Sequence, residues 1–294
     1  MNKRKTKGII LILLMAFCFS LTSALIKGVH GIPQEEEVFY RNIMLFVTTI
    51  LVMFKTRSPL LGKKGHRLAL FGRGAFGTLG AIASYYAITH MILPNAVIIS
   101  NLCPFFIIIL SAVFLREKLK PMQIVAVIVA FSGMFFIINP GGKMAIFPAV
   151  IGLIGALCAG LSYVLVRHLG HKEAPETIIF FMAITSLLFT VPSMLINYKP
   201  LTMHDLILLL LAGCTYSAAE VLGVWAYKCS PAREISVFSY SDAIFSAVFS
   251  FLIWGQLPHP IQYIGYALII AGAIVIYIHN NKTVEEELEI VEQN

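Results

Sequence analysis

Ala16-Phe17-Cys18-Phe19-Ser20-Leu21-Thr22-Ser23-Ala24-Leu25-Ile26-Lys27 repeats, 140 residues on, as Ala156-Leu157-Cys158-Ala159-Gly160-Leu161-Ser162-Tyr163-Val164-Leu165-Val166-Arg167. Ala16, Cys18, Leu21 and Lys27 fall on Ala156, Cys158, Leu161 and Arg167. At a shift of 139 the match continues, with Tyr86-Ala87 on Trp225-Ala226, Ser100 on Ser239, Pro121-x-Gln123 on Pro260-x-Gln262, and Gly133 on Gly272. Each copy holds five apolar runs. Five is odd, so the second copy enters a membrane from the side opposite to the first, and the chain reads as an inverted repeat.

The composition demands a membrane. Of 294 residues 58% are apolar and 13% charged, with a mean hydropathy of +0.84, whereas a soluble chain carries about 25% charge. Too little polar surface is left to cover a globule, which excludes a soluble enzyme, a nucleic-acid-binding domain and a disordered chain. A spanning helix needs roughly 20 apolar residues, and the breaks predict ten spans: 8–29, 38–54, 68–89, 94–115, 122–139, 147–168, 177–196, 206–228, 234–253 and 261–279. The fold class is therefore an all-α integral membrane protein with ten transmembrane helices in two inverted five-helix repeats, 8–139 and 147–279, followed by an acidic tail, 280–294. The short loops suggest that consecutive helices pack as antiparallel neighbours. The basic start and Leu21-Thr22-Ser23-Ala24 resemble a cleavable secretory signal, but the repeat makes this run the first helix of a copy, and we expect it to be retained.

The net charge of +7 is an orientation signal. With the N-terminus inside, 17 of the 22 Lys and Arg residues are cytoplasmic, Lys27, Lys143 and Lys199 are outside, and Arg41 and Arg73 lie within spans. That asymmetry places both termini in the cytoplasm. The five cysteines, Cys18, Cys103, Cys158, Cys214 and Cys229, read as small core hydrophobes without disulfide or metal roles. No zincin, P-loop or closed serine-elbow motif is present, so neither an enzyme nor an ATP-driven pump is read, and no cofactor or metal is called for.

Charges within spans need a reason. Glu220 lies eight residues before Lys228, and Asp242 eight residues after Glu234. A rise of 1.5 Å per residue puts both about 12 Å from the cytoplasmic ends of spans 8 and 9. Two such carboxylates suit an amine or a coupling proton; the bland alternative is that each caps a neighbouring helix or bonds a nearby hydroxyl such as Tyr216 or Tyr240. Ser239, Tyr240 and Asp242 share a region of span 9 whose repeat mates are Ser100, Asn101 and Cys103, and Pro104 frees a backbone carbonyl in span 4. Tyr85, Tyr86 and Trp225 could form an aromatic wall against a flat or cationic substrate, with interface anchoring or packing the commoner role of aromatics near span ends. For Arg41, snorkelling to head groups competes with binding a substrate carboxylate; for Arg73, snorkelling is the expectation. Gly74, Gly77 and Gly80 form a small-residue stripe for close packing.

These residues resemble a family. The duplicated Tyr/Trp-Ala, Pro-x-Gln and glycine pattern, with Leu115-Arg116-Glu117-Lys118-Leu119, Tyr40-Arg41-Asn42 and Asn139-Pro140-Gly141, is similar to the EamA-type members of the drug/metabolite transporter superfamily over about residues 8–279. The resemblance implies ten helices in two inverted bundles around a cavity and exchange of small metabolites across a bacterial inner membrane. Arg73-Gly74 and Tyr240-Ser241-Asp242 look most like the S-adenosylmethionine carrier-like branch, which often has Glu where this chain has Asp242. The second copy departs from the usual pattern, with Gly255-Gln256 in place of Gly-Glu and Ala243 opposite Pro104. The expected function is secondary transport of a small amine-bearing or zwitterionic metabolite, amino-acid-like or S-adenosylmethionine-like, by proton coupling or exchange. Asp242, Glu220, Tyr240, Asn101, Ser100, Ser239, Tyr86, Trp225 and Arg41 would line the site. The alternative is a non-transporting membrane sensor or assembly protein. Expected partners are a small-molecule metabolite and the lipid bilayer, with no nucleic acid, as a monomer or homodimer.

Overall fold

A computed structural model describes residues 3–116, 119–138, 146–169, 172–230 and 235–292. Glu117-Lys118, Asn139-Pro140-Gly141, Lys143, Arg233 and Glu234, on which parts of the sequence reading fall, lie outside the described residues. Ten helices follow one another: α1 Lys3–Lys27, α2 Gln34–Thr56, α3 Arg67–His90, α4 Leu93–Phe114, α5 Pro121–Ile138, α6 Ile146–Leu169, α7 Pro175–Asn197, α8 Met203–Cys229, α9 Ser236–Trp254 and α10 Pro260–Glu292. Among the described residues there is no strand. Nine of the helices are long and apolar enough to cross a bilayer. The tenth, α3, falls short because it carries Arg73, four glycines and two tyrosines, a composition that suits a helix covered by protein rather than by lipid. Leu51, Phe135 and Leu195 stay exposed at 66%, 74% and 79%, where a bilayer supplies their apolar surroundings.

The repeated motifs turn out to be local structure. Gln123 accepts the Lys120 N–H with Oε1 at 3.0 Å, and Gln262 accepts the His259 N–H at 2.9 Å. In both copies Pro-x-Gln therefore opens the fifth helix, with proline where no N–H is needed and the amide reaching back to the preceding residue. Both fourth helices are broken at matching positions. In α4, Leu93–Ser100 and Cys103–Phe114 are separate α-helical pieces; in α9, a 3-10 turn Ser236–Tyr240 precedes the α-helix Ser241–Trp254.

Packing follows the repeat rather than the order of the chain. The expectation that consecutive helices are neighbours is corrected here: the closest packing runs between the halves. α3 lies along α6 and its mate α8 along α1; α7 meets α3 as α2 meets α8; α4 meets α6 as α9 meets α1. The pairs α2 with α7, α4 with α9 and α5 with α10 map onto themselves, as a pseudo-twofold axis requires. One apolar core draws on both halves, from Ala24 and Ile98 to Ala212 and Ile269. At the α5–α10 crossing, a Cβ on Gly133 would sit 2.6 Å from the Gly265 carbonyl oxygen, and one on Gly265 would sit 2.5 Å from that of Gly133. Only glycine permits this approach.

Candidate functional site

The inner faces of α1, α3, α6 and α8, closed by α2, α4 and α9, leave a cavity of about 230 Å³. Its chemistry begins at the two breaks. Asn101 follows the first piece of α4, and Asp242 stands in the first turn of the α-helical part of α9. Asn101 Nδ2 donates to Asp242 Oδ1 at 2.7 Å, tying one half to the other. The carboxylate stands in the first turn of an α-helix, where the helix dipole favours negative charge. Pro104 has no N–H to offer the Ser100 carbonyl, which explains why α4 cannot run through this point. Asp242 and Ser100 both face the cavity.

Two arginines face it as well. Arg41, on α2, donates from Nη1 to the Tyr85 hydroxyl at 3.0 Å and from Nη2 to Asn42 Oδ1 at 3.3 Å. Its guanidinium lies 4.1 Å from the Tyr216 ring centroid and 5.2 Å from that of Tyr85. Asn42 is itself held by donating to Ser186 Oγ on α7 at 2.6 Å. Arg73, on α3, donates from Nη1 to Ser162 Oγ, while Ser162 Oγ donates to the Arg73 carbonyl oxygen at 2.6 Å. Its guanidinium lies over Tyr163 at 5.1 Å. This corrects the snorkelling expectation: Arg73 is 6% exposed and turns inward, because α6 offers it a hydroxyl and a ring. Gly77, one turn on, makes room, since a Cβ there would meet Arg73 Nη1 at 2.8 Å. The rest of the stripe packs as expected, Gly74 against Thr185 and Gly80 against the Gly155 carbonyl.

The remaining candidates are dispersed. Glu220 and Trp225 line a second cavity of about 460 Å³, between α2, α7 and α8 and toward the face that carries both termini, together with Lys55 and Glu176. Glu220 and Asp242 thus belong to different chambers. Tyr240 is buried at the end of the 3-10 turn, and Ser239 Oγ donates to the Ser236 carbonyl inside that turn. Tyr86 stacks on His90 at 4.1 Å and meets Phe147 edge-on, so of the proposed aromatic wall it is Tyr85 that faces the cavity.

Tyr216, Tyr163 and Ser162 were not singled out as site residues from sequence. A signal existed: at the shift of 140, Ser162-Tyr163 are the mates of Thr22-Ser23, and all four line the cavity. Among the described residues no cluster of three His, Cys, Asp or Glu side chains could hold a metal. The cavity can bind charge of both signs, hydrogen-bond through hydroxyls, and stack a flat or cationic group on tyrosine.

The sequence profile of the EamA-like transporter family matches residues 6–139 and 146–278, one copy on each half. The chain is 28% identical over 273 residues to the pseudopaline exporter CntI of Pseudomonas aeruginosa, covering 92% of this chain and 95% of that protein. It is 24% identical to the riboflavin transporter of Brucella anthropi, covering 86% and 91%, and 25% identical to solute carrier family 35 member G1 of Mus musculus, covering 85% and 73%. A solved crystal structure with 15% sequence identity superposes with a TM-score of 0.64 over 96% of this chain and 99% of that one, a likeness of fold.

Proposed function

The chain belongs to the EamA-like transporter family, and from that membership we propose that it is a secondary carrier which moves a small zwitterionic metabolite across a bacterial cytoplasmic membrane by alternating access. Being a transporter follows from the family and its named relatives, so the sensor and enzyme readings fall away. The finer reading rests on one observation: a cavity lying between the halves that is lined by Asp242, at the junction of two broken helices, and by Arg41 and Arg73.

Asp242 offers its charge to a substrate amine, and the arginines offer theirs to a carboxylate. Asn101 positions Asp242, Ser100 adds a hydroxyl, and Tyr85 and Tyr216 hold Arg41 in place. Residues 8–139 and 147–279 act as the two repeats, which rock about the pseudo-twofold axis and expose the cavity to either side in turn. Both termini, with the tail 280–294, lie in the cytoplasm, as the placement of Lys and Arg argues.

Purified protein in proteoliposomes tests this with labelled amino acids and S-adenosylmethionine. Counterflow of a zwitterion is expected from the wild type and is abolished by Asp242→Asn, with the melting temperature kept. Uptake unchanged in that variant removes Asp242 from the mechanism. Accumulation driven by a pH gradient marks proton coupling, and counterflow insensitive to pH marks exchange.

A further inference from the structure

The central cavity is not balanced for a substrate with one carboxylate and one amine. Arg41 and Arg73 are 4% and 6% exposed. Their partners are hydroxyls, an amide oxygen and tyrosine rings. Among the described residues neither forms an ion pair, and the Nε of each is buried without an acceptor. Hydroxyls and rings orient a guanidinium but leave its charge in place. Asp242 is the only carboxylate among the residues that line the cavity, and part of its capacity is taken by Asn101.

Glu220, in the second chamber, acts on Arg41 only through space and forms no ion pair with it among the described residues; two buried guanidinium groups without an ion pair call for anions beside them. They also stand apart in depth. Arg41 is seven residues inside the start of α2, and Arg73 six inside the start of α3. Successive membrane-crossing helices start on opposite faces, so each arginine lies about 10 Å from a different face. In a hydrocarbon layer of about 30 Å that leaves about 10 Å between their backbone positions along the membrane normal.

We propose that the cavity takes a net-anionic amino dicarboxylate, one carboxylate on Arg41, the other on Arg73, and the ammonium group on the side of Asp242. This rests on the carrier reading above and narrows it. Each guanidinium keeps N–H donors without an acceptor, which suit charge-assisted bonds to a carboxylate, and the depth difference favours a substrate whose acidic groups are separated by a chain.

The test compares glutamine, glutamate, 2-aminoadipate and 2-aminopimelate as ligands of the purified full-length protein, by thermal shift and by competition in counterflow. Glutamine and glutamate differ by one charged group. The wild type is expected to bind at least one of the dicarboxylates ten-fold or more tightly than glutamine, and Arg73→Gln to erase that preference, read as the ratio of dicarboxylate to glutamine affinity. A wild type that binds glutamine as well as every dicarboxylate, or binds no dicarboxylate, overturns the proposal whatever the variant does. Counterflow of glutamine or S-adenosylmethionine without a dicarboxylate preference would leave the carrier reading standing and this one refuted; no counterflow by any of these compounds would defeat both.

Discussion

Tyr216 sets the direction in which Arg41 can act. With its ring 4.1 Å from the guanidinium, it covers one face of the charge, so a ligand has to approach from another side. A desolvated contact of this kind contributes about 0.5–2 kcal/mol, so Tyr216→Leu is expected to raise the KM for transport by roughly 2- to 30-fold, while Tyr216→Phe, which keeps the ring, stays near wild type; concentration-dependent uptake checks both. Glu173, outside the spans, does different work. It accepts the Lys63 N–H at 2.9 Å and faces His66 Nδ1 at 2.6 Å, joining the α6–α7 loop to the α2–α3 loop. Desolvation pushes its carboxyl up, but those two bonds and the positive charge of Lys63 and His66 hold it below the usual value of 4.5. A depressed folded value stabilises the protein above pH 4.5 and loses that contribution as pH falls through it. Glu173→Gln should therefore cost about 1–2 kcal/mol at pH 7, with the deficit shrinking below pH 4.5 in thermal unfolding scans.

At the scale of the helix, α3 separates packing from function within a single turn. A Cβ on Gly74 would stand 2.5 Å from Thr185 Cβ and 2.9 Å from the Phe181 carbonyl, whereas one on Gly77 meets the flexible end of Arg73 at 2.8 Å. Gly74→Ala is expected to destabilise by about 1–3 kcal/mol through forced separation of α3 and α7. Gly77→Ala should instead keep the melting temperature and lower transport, because the guanidinium has to leave Ser162. Equal losses of stability in the two variants would put Arg73 in a structural role. The small-residue stripe was legible as a packing face from Gly74, Gly77 and Gly80 alone. That Gly77 houses an arginine was not, since this depends on which face of α6 arrives opposite. The break in α9 was equally hidden. Pro104 announces the one in α4, but its mate is Ala243, and the second break stands where Asp242 reaches across to Asn101, a contact between halves that no local signal encodes.

For the whole molecule, the 139–140 shift, the apolar runs and the uneven Lys and Arg were enough to read the ten-helix inverted fold, because each is a property of the chain along its length. The site was only partly legible, because it is assembled from helices far apart in sequence: Asp242, Asn101 and Arg41 stand out as polar groups in apolar runs, yet Glu220 stands out equally and lines another chamber. Orientation is the remaining consequence of charge. His30 and Lys63, both exposed, lie in the first and second inter-helix connections, which ten crossings put on opposite faces. In a background whose five cysteines are replaced, His30→Cys should react with a membrane-impermeant maleimide in intact cells, and Lys63→Cys only after permeabilisation. Lysines and arginines resist translocation through short loops, so the side rich in them stays in the cytoplasm. The reverse labelling pattern would turn the carrier over in the membrane and move the second chamber, with Glu220 and Lys55, to the outside.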